Sequence, residues 1–331
     1  MARVLILGGA GFIGYHLAER LSHEPAAAVT LVDDLSRGRF DAELAALVAR
    51  PGVQLVRADL TDPAALAALP REWDHVYMLA AVVGVRNVAG DPARVIRVNT
   101  LATLNLLEWL TDRAGAVFFA STSETYAGGV TLGHVPVPTP EDVALTVPEI
   151  AHPRFAYAAS KILGEAAAIH YGAQKGVPVV IGRLHNVYGP RMGTDHAVPE
   201  LCLRALDRED PFRVYGPEQR RAFCHVADAV EAVIRLMATE RAWGRIVNVG
   251  NDSEETRVAD LAALVLRVAS FAPRVEPVAA PPGSVARRCP DLSRLRDLTG
   301  FVPKVPLEPG VRETFQWYRG WRARASAGGA R

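Results

Sequence analysis

Val4-Leu5-Ile6-Leu7-Gly8-Gly9-Ala10-Gly11-Phe12-Ile13-Gly14 decides the fold: a short apolar run, then glycine at every third position, then a helical pattern from Phe12 onward. The run carries no charge and no alternation, as a strand buried on both faces does. Gly8 permits the tight turn, Gly11 lets backbone amides approach a pyrophosphate, and Gly14 lets helix and strand pack closely. The positive end of the helix favours the phosphate charge. Asp33 lies nineteen residues beyond Gly14 and closes the next apolar run. A carboxylate there accepts hydrogen bonds from the adenosine ribose and repels a 2′-phosphate, so NAD is expected rather than NADP. Arg37 and Arg39 follow in what reads as a solvated loop.

Outward from this motif, short Val/Ile/Leu runs alternate with longer helical patterns. Strands are predicted at 4–7, 28–32, 53–57, 75–79, 116–120 and 178–184, with helices at 12–22, 41–48, 63–69, 92–110 and 157–171. This rhythm is that of a Rossmann-type, doubly wound α/β fold with a parallel sheet. From about Met192 it changes to short helices at 197–206, 226–237, 257–269 and 308–319 between Pro/Gly loops. The expected division is a NAD-binding domain over 1–190, to which later segments return, and a smaller, mainly substrate-binding lobe over 191–324. A disordered tail is expected over 325–331.

The chain has 331 residues, half of them hydrophobic, and Lys+Arg 37 against Asp+Glu 36 leaves a net charge of +1. Such a balance does not call for nucleic acid or a membrane surface as partner. Cys202, Cys224 and Cys289 are odd in number and lack metal-ligand spacing, so they read as reduced thiols of a cytoplasmic protein with no metal site. The N-terminal apolar run is too short for a signal-peptide core, and no stretch is long enough to span a membrane.

Tyr157 and Lys161, four residues apart, fall on one helix face. An ammonium beside a phenol lowers its pKa, which suits the phenol to take a hydroxyl proton while a nicotinamide takes the hydride. With the glycine motif, Asp33, Asp59-Leu60, Asn99, Ser121-Thr122-Ser123-Glu124-Thr125-Tyr126, Asn186-Val187-Tyr188-Gly189-Pro190-Arg191, Arg221 and Arg288 in this order, the chain resembles the extended short-chain dehydrogenase/reductases. Within them it resembles the nucleotide-sugar epimerases, dehydratases and decarboxylases, over roughly residues 3–321.

That resemblance implies roles. Tyr157 would deprotonate the sugar 4-hydroxyl, Lys161 would hold the nicotinamide ribose and keep Tyr157 ionised, and Thr122 would share a hydrogen bond with the hydroxyl. The cofactor would meet Gly8, Gly11, Phe12, Ile13, Gly14, Asp33, Asp34, Ser36, Asp59, Leu60, Leu79, Ala80, Ala81, Asn99, Ala120, Tyr157, Lys161 and His185. The nucleotide-diphosphate sugar would meet Val83, Ser123, Glu124, Asn186, Arg191, Val198, Val214, Arg221 and Arg288. Arg221 and Arg288 are assigned to the diphosphate, where arginine pairs with two oxygens at once. The resemblance also implies a homodimer through the helices 92–110 and 157–171.

All members of the group begin with oxidation at C4 and differ in the step after it. Glu124 stands where dehydratases keep their C5 base, and Thr122-Ser123-Glu124 also resembles the decarboxylases. Ala127-Gly128-Gly129, His185-Asn186 and Gly193-Thr194-Asp195-His196 resemble epimerases. The sequence reading favours a 4-epimerase, with a 4,6-dehydratase or a uronate decarboxylase using Glu124 as the alternative. A non-enzymatic NAD(H)-binding protein is disfavoured because both Tyr157 and Lys161 are present.

Overall fold

Seven parallel strands carry the site. In the computed structural model, which describes residues 2–24, 26–281 and 283–328, the first six are β1 (Ala2–Leu7), β2 (Ala27–Asp33), β3 (Val53–Arg57), β4 (Trp73–Met78), β5 (Ala114–Thr122) and β6 (Val179–Leu184). A seventh, Ile246–Val249, forms the edge beside β6, and the order runs Ile246–Val249, β6, β5, β4, β1, β2, β3. The chain leaves β1 toward β3 and then returns across it to β4. The crevice between β1 and β4, at the C-terminal strand ends, is therefore the switch point where such sheets bind ligands.

Burial explains the unbroken apolar runs. Leu5 and Leu7 of β1 enter one core layer with Val76, Met78, Leu106, Val117 and Ile181. Val4 and Ile6 point the other way, into a layer with Leu17, Leu31, Phe118, Val180 and Val233. Each face is covered by helices, as the doubly wound reading requires.

Helix α1 (Phe12–Leu21) lies hard against the first turn: a Cβ on Gly14 would stand 2.2 Å from the Gly8 carbonyl oxygen. The helix Arg154–Lys175, which carries Tyr157 and Lys161, sits as closely on β5, where a Cβ on Gly164 would meet the Phe119 ring at 2.4 Å. It begins three residues before and ends four residues after the predicted 157–171.

The second lobe has its own core, in which Val198, Leu201, Phe212, Val214, Leu261, Val265, Phe315 and Tyr318 pack together. Its helices are Ala197–Leu206, Val258–Val268 and Leu307–Gly328. Between them the chain returns to the sheet: the helix Val226–Met237 joins the core layer of α1 and Ile246–Val249 pairs with β6. That four-residue strand, between Arg245 and Gly250, was too short to register in the sequence. The last helix runs to Gly328, through four of the residues expected to form a disordered tail; 329–331 lie outside the described residues. No helix among the described residues is long and apolar enough to cross a membrane.

Candidate active site

At the cofactor end, Asp33 is buried and its carboxylate accepts the amide of Ala10 at 3.0 Å and that of Leu35 at 2.9 Å. Burial raises its pKa, opposed by these bonds. The acid thus holds the glycine turn and the loop after β2 in one geometry. Phe12 and Ile13 pack partly buried on the core layer of α1. Asp34 is exposed and accepts the Ser36 amide, and exposed Asp59 caps its own turn through Thr61. Leu60 is buried, and the Ala80 backbone, between Leu79 and Ala81, presses against Gly8.

The loop arginines do not behave as a merely solvated pair. Arg39 stacks on Trp321 at 4.9 Å, while Arg37 reaches across the crevice, its Nη2 3.9 Å from the Cβ positions of Gly84 and Gly193. Neither pairs with Asp33. NAD is therefore expected to bind about 100-fold more tightly than NADP. Calorimetry with the two cofactors checks this; equal affinities would mean that Arg37 swings back to receive the 2′-phosphate.

Two residues assigned to the cofactor have their side chains engaged within the protein. Asn99 is buried, and its side chain is spent on both backbone groups of Val82 and on Ser160 Oγ, so it shapes the loop after β4. His185 is buried, with its amide bonded to the Val249 carbonyl and Nε2 bonded to Asn248 Oδ1 at 3.0 Å. Asn248 Nδ2 donates to the carbonyls of Thr139 and Asp291, so its Oδ1 is the acceptor and His185 Nε2 carries the proton. Burial lowers the His185 pKa to about 3, leaving a neutral packing histidine.

Thr122 ends β5, its hydroxyl accepting the Glu124 amide at 3.2 Å, and Tyr157 lies close to it on the helix. Lys161 is buried on the same helix face, but its ammonium donates to the Ala120 carbonyl at 2.8 Å and lies over the Phe119 ring. The sequence reading had Lys161 lowering the phenol. Instead burial raises Tyr157 well above the usual phenol range, with Thr122 and Arg37 opposing this and Glu124 adding to it. Burial also brings Lys161 down to about 8, against the influence of Glu165.

Glu124, two residues past Thr122, is held between two arginines. Arg288 Nη1 donates to it at 2.6 Å, and Arg154 Nη2 donates to both oxygens at 3.2 and 3.3 Å. Burial would raise this carboxyl, but the two guanidiniums outweigh that and hold it at about 2. Arg288, expected at the diphosphate, is thus bound to Glu124. Its register partner across parallel strands is Arg221, whose guanidinium donates to the carbonyls of Arg220, Val285 and Ala286. Three cations therefore gather around one carboxylate.

Other substrate assignments divide. Ser123 is buried beside Glu124, Val83 lies half-buried in the loop after β4, and Asn186 Nδ2 donates to the Ala222 carbonyl. Arg191 is turned away, its side chain 6% exposed, bonded to Asp41 and Glu43 and stacked on Tyr15. Val198 and Val214 lie in the second lobe's core and present no open surface. Apolar side chains in a small lobe belong to its core before they belong to a ligand.

Sequence reasoning missed Arg154 and a buried network beneath the site. Arg183 pairs with Glu165 at 2.6 Å and donates to Tyr126, and Ser121 donates to Glu165. The spacing held a signal: Arg154 stands three residues before Tyr157 and Glu165 four after Lys161, all on one helix face.

Residues 4–250 match the family described as NAD-dependent epimerase/dehydratase. The chain is 33% identical to a UDP-N-acetyl-alpha-D-glucosaminuronate decarboxylase of Bacillus cytotoxicus, over 96% of this chain and 98% of that protein. It is 34% identical to UDP-glucuronic acid decarboxylase 3 of Arabidopsis thaliana, over 93% and 86%. In structure it is similar to the UDP-glucose 4-epimerase of Thermus thermophilus in complex with NAD, with a TM-score of 0.80 and 30% identity over 96% and 99% of the chains.

Proposed function

This chain belongs to the NAD-dependent epimerase/dehydratase family, and on that premise we propose that it decarboxylates a UDP-linked uronic acid. The state of Glu124 carries this reading. A 4,6-dehydratase needs a base strong enough to take the C5 proton, and a carboxylate held at about 2 by two arginines is a weak one. A decarboxylase needs no base at C5. Once C4 is a ketone the uronate is a β-keto acid, and the C5–C6 electrons pass into the carbonyl as carbon dioxide leaves. The decarboxylase names of the sequence relatives support the same choice over the 4-epimerase that the sequence alone favoured.

The residues fit NAD: the Gly8–Gly14 turn leaves no room for a side chain at Gly14, and Asp33 stands at the end of β2. Bound NAD supplies the hydride acceptor for C4 oxidation and the donor for the final reduction. Tyr157 takes the O4 proton in the first step and returns it in the last, and Thr122 keeps that oxygen in line. Lys161, fixed to β5 through Ala120, sets a positive charge at the inner end of the same helix face. After carbon dioxide leaves, C5 takes up a proton that exchanges with solvent. Arg221 is left to the diphosphate, since among the described residues its hydrogen-bond partners are carbonyls and the Gln219 side chain.

Incubation with UDP-glucuronate and with UDP-N-acetylglucosaminuronate, followed by mass spectrometry, tests this. Loss of carbon dioxide is expected from one of them; an isomer of unchanged mass would restore the epimerase, and loss of water the dehydratase.

We propose a homodimer as well. Ile96 on the helix Pro92–Trp109 and Leu163 and Ile169 on the helix Arg154–Lys175 are 47%, 50% and 39% exposed, and the two helices pack side by side. Apolar side chains left open on adjacent helices suit a symmetric four-helix contact. Light scattering should give a dimer mass for the native chain and a monomer mass for Leu163→Glu; a monomeric native chain would refute the proposal.

A further inference from the structure

We propose that Arg154 reads the carboxylate of the substrate and so sets the preference for a uronic acid over a neutral sugar; this rests on the decarboxylase reading. Arg154 is the first residue of the helix Arg154–Lys175, three residues before Tyr157 and therefore one turn away on the same face. Tyr157 marks where the 4-hydroxyl binds. In a uronic acid the carboxylate hangs from C5, the carbon next to C4, so a guanidinium one turn from Tyr157 lies within its reach.

The bonds of Arg154 leave it capacity for such a ligand. Both of its contacts with Glu124 come from a single nitrogen, Nη2, at 3.2 and 3.3 Å, which is longer than a charge-assisted pair prefers. Arg288 makes the short contact with Glu124, 2.6 Å. Arg154 Nε is buried without a hydrogen-bond partner among the described residues, as are Nε and Nη2 of Arg288. Buried guanidinium nitrogens are rarely left unpaired. Glu124 supplies one negative charge against Arg154, Arg288 and Arg221, so the site lacks anions. The diphosphate answers for Arg221, and a second anion close to Tyr157 answers for Arg154. Gly283 lies behind Arg154, where an added Cβ would stand 3.4 Å from the Arg154 Cδ.

The test uses the NAD-loaded Tyr157→Phe protein, which should turn substrate over ~10²–10⁴-fold more slowly than the native chain. Its affinities for UDP-glucuronate and for UDP-xylose, the same molecule without the carboxylate, are measured by calorimetry with and without Arg154→Gln. The uronate should lose roughly 30-fold or more in affinity, and UDP-xylose less than about 3-fold. Arg154→Lys keeps the charge without the fork and should restore part of the uronate affinity, which a merely misfolded site would not show. Equal losses for both ligands, or a uronate preference that survives Arg154→Gln, would overturn the proposal alone. A Tyr157→Phe protein that binds the two ligands equally would overturn the uronate reading and this proposal with it.

Discussion

Tyr157→Phe should reduce turnover by ~10²–10⁴-fold while leaving NAD affinity nearly unchanged. The substitution removes one oxygen and keeps the ring, so the packing of its helix against β5 is preserved. What it removes is the proton acceptor for O4 and the neighbour of the Thr122 hydroxyl. Burial keeps the phenol protonated in the resting site, so rates of the native enzyme should climb with pH as the phenolate is populated. Steady-state kinetics together with a cofactor titration separates the two effects. Near-normal turnover on the true substrate would remove Tyr157 from the mechanism.

Glu124→Gln should lower kcat by ~10- to 100-fold while KM falls instead of rising. On the proposed reading, the ionised carboxylate faces the substrate's own carboxylate, and both compete for the same guanidiniums. Neutralising Glu124 removes that repulsion, so the uronate binds more tightly. It also removes the repulsion that is relieved when the carboxylate departs as neutral carbon dioxide, so the chemical step slows. A dehydratase would respond differently, with reduced cofactor accumulating because the 4-keto intermediate stalls. Stopped-flow absorbance of the cofactor, set beside kcat and KM, distinguishes these outcomes. A raised KM with unchanged kcat would mean that Glu124 only helps to bind.

Much of this was legible because local rules and the fold agree. The glycine spacing with Asp33 announced the crevice, and the unbroken apolar runs announced strands covered on both sides. The Tyr157–Lys161 spacing pointed to the end of the crevice proposed to react. What stayed hidden depends on partners far away in the chain. Nothing near Arg191 reveals that Asp41 and Glu43 claim it, and nothing near Asn99 reveals that Val82 does. Glu124 could be placed but not assigned a charge state, because the two arginines that fix it come from thirty residues downstream and from the far strand Arg287–Arg288. On the proposed reading, that charge state separates a base for elimination from an anion that stands beside a departing carboxylate.

The most direct test of the central claim is the product formed in heavy water from UDP-glucuronate and from UDP-N-acetylglucosaminuronate, analysed by mass spectrometry and proton NMR. Decarboxylation gives a UDP-pentose that has lost C6 and carries one solvent deuterium at C5. A UDP-uronate of inverted configuration at C4, with its carboxylate intact and no deuterium at C5, would contradict it.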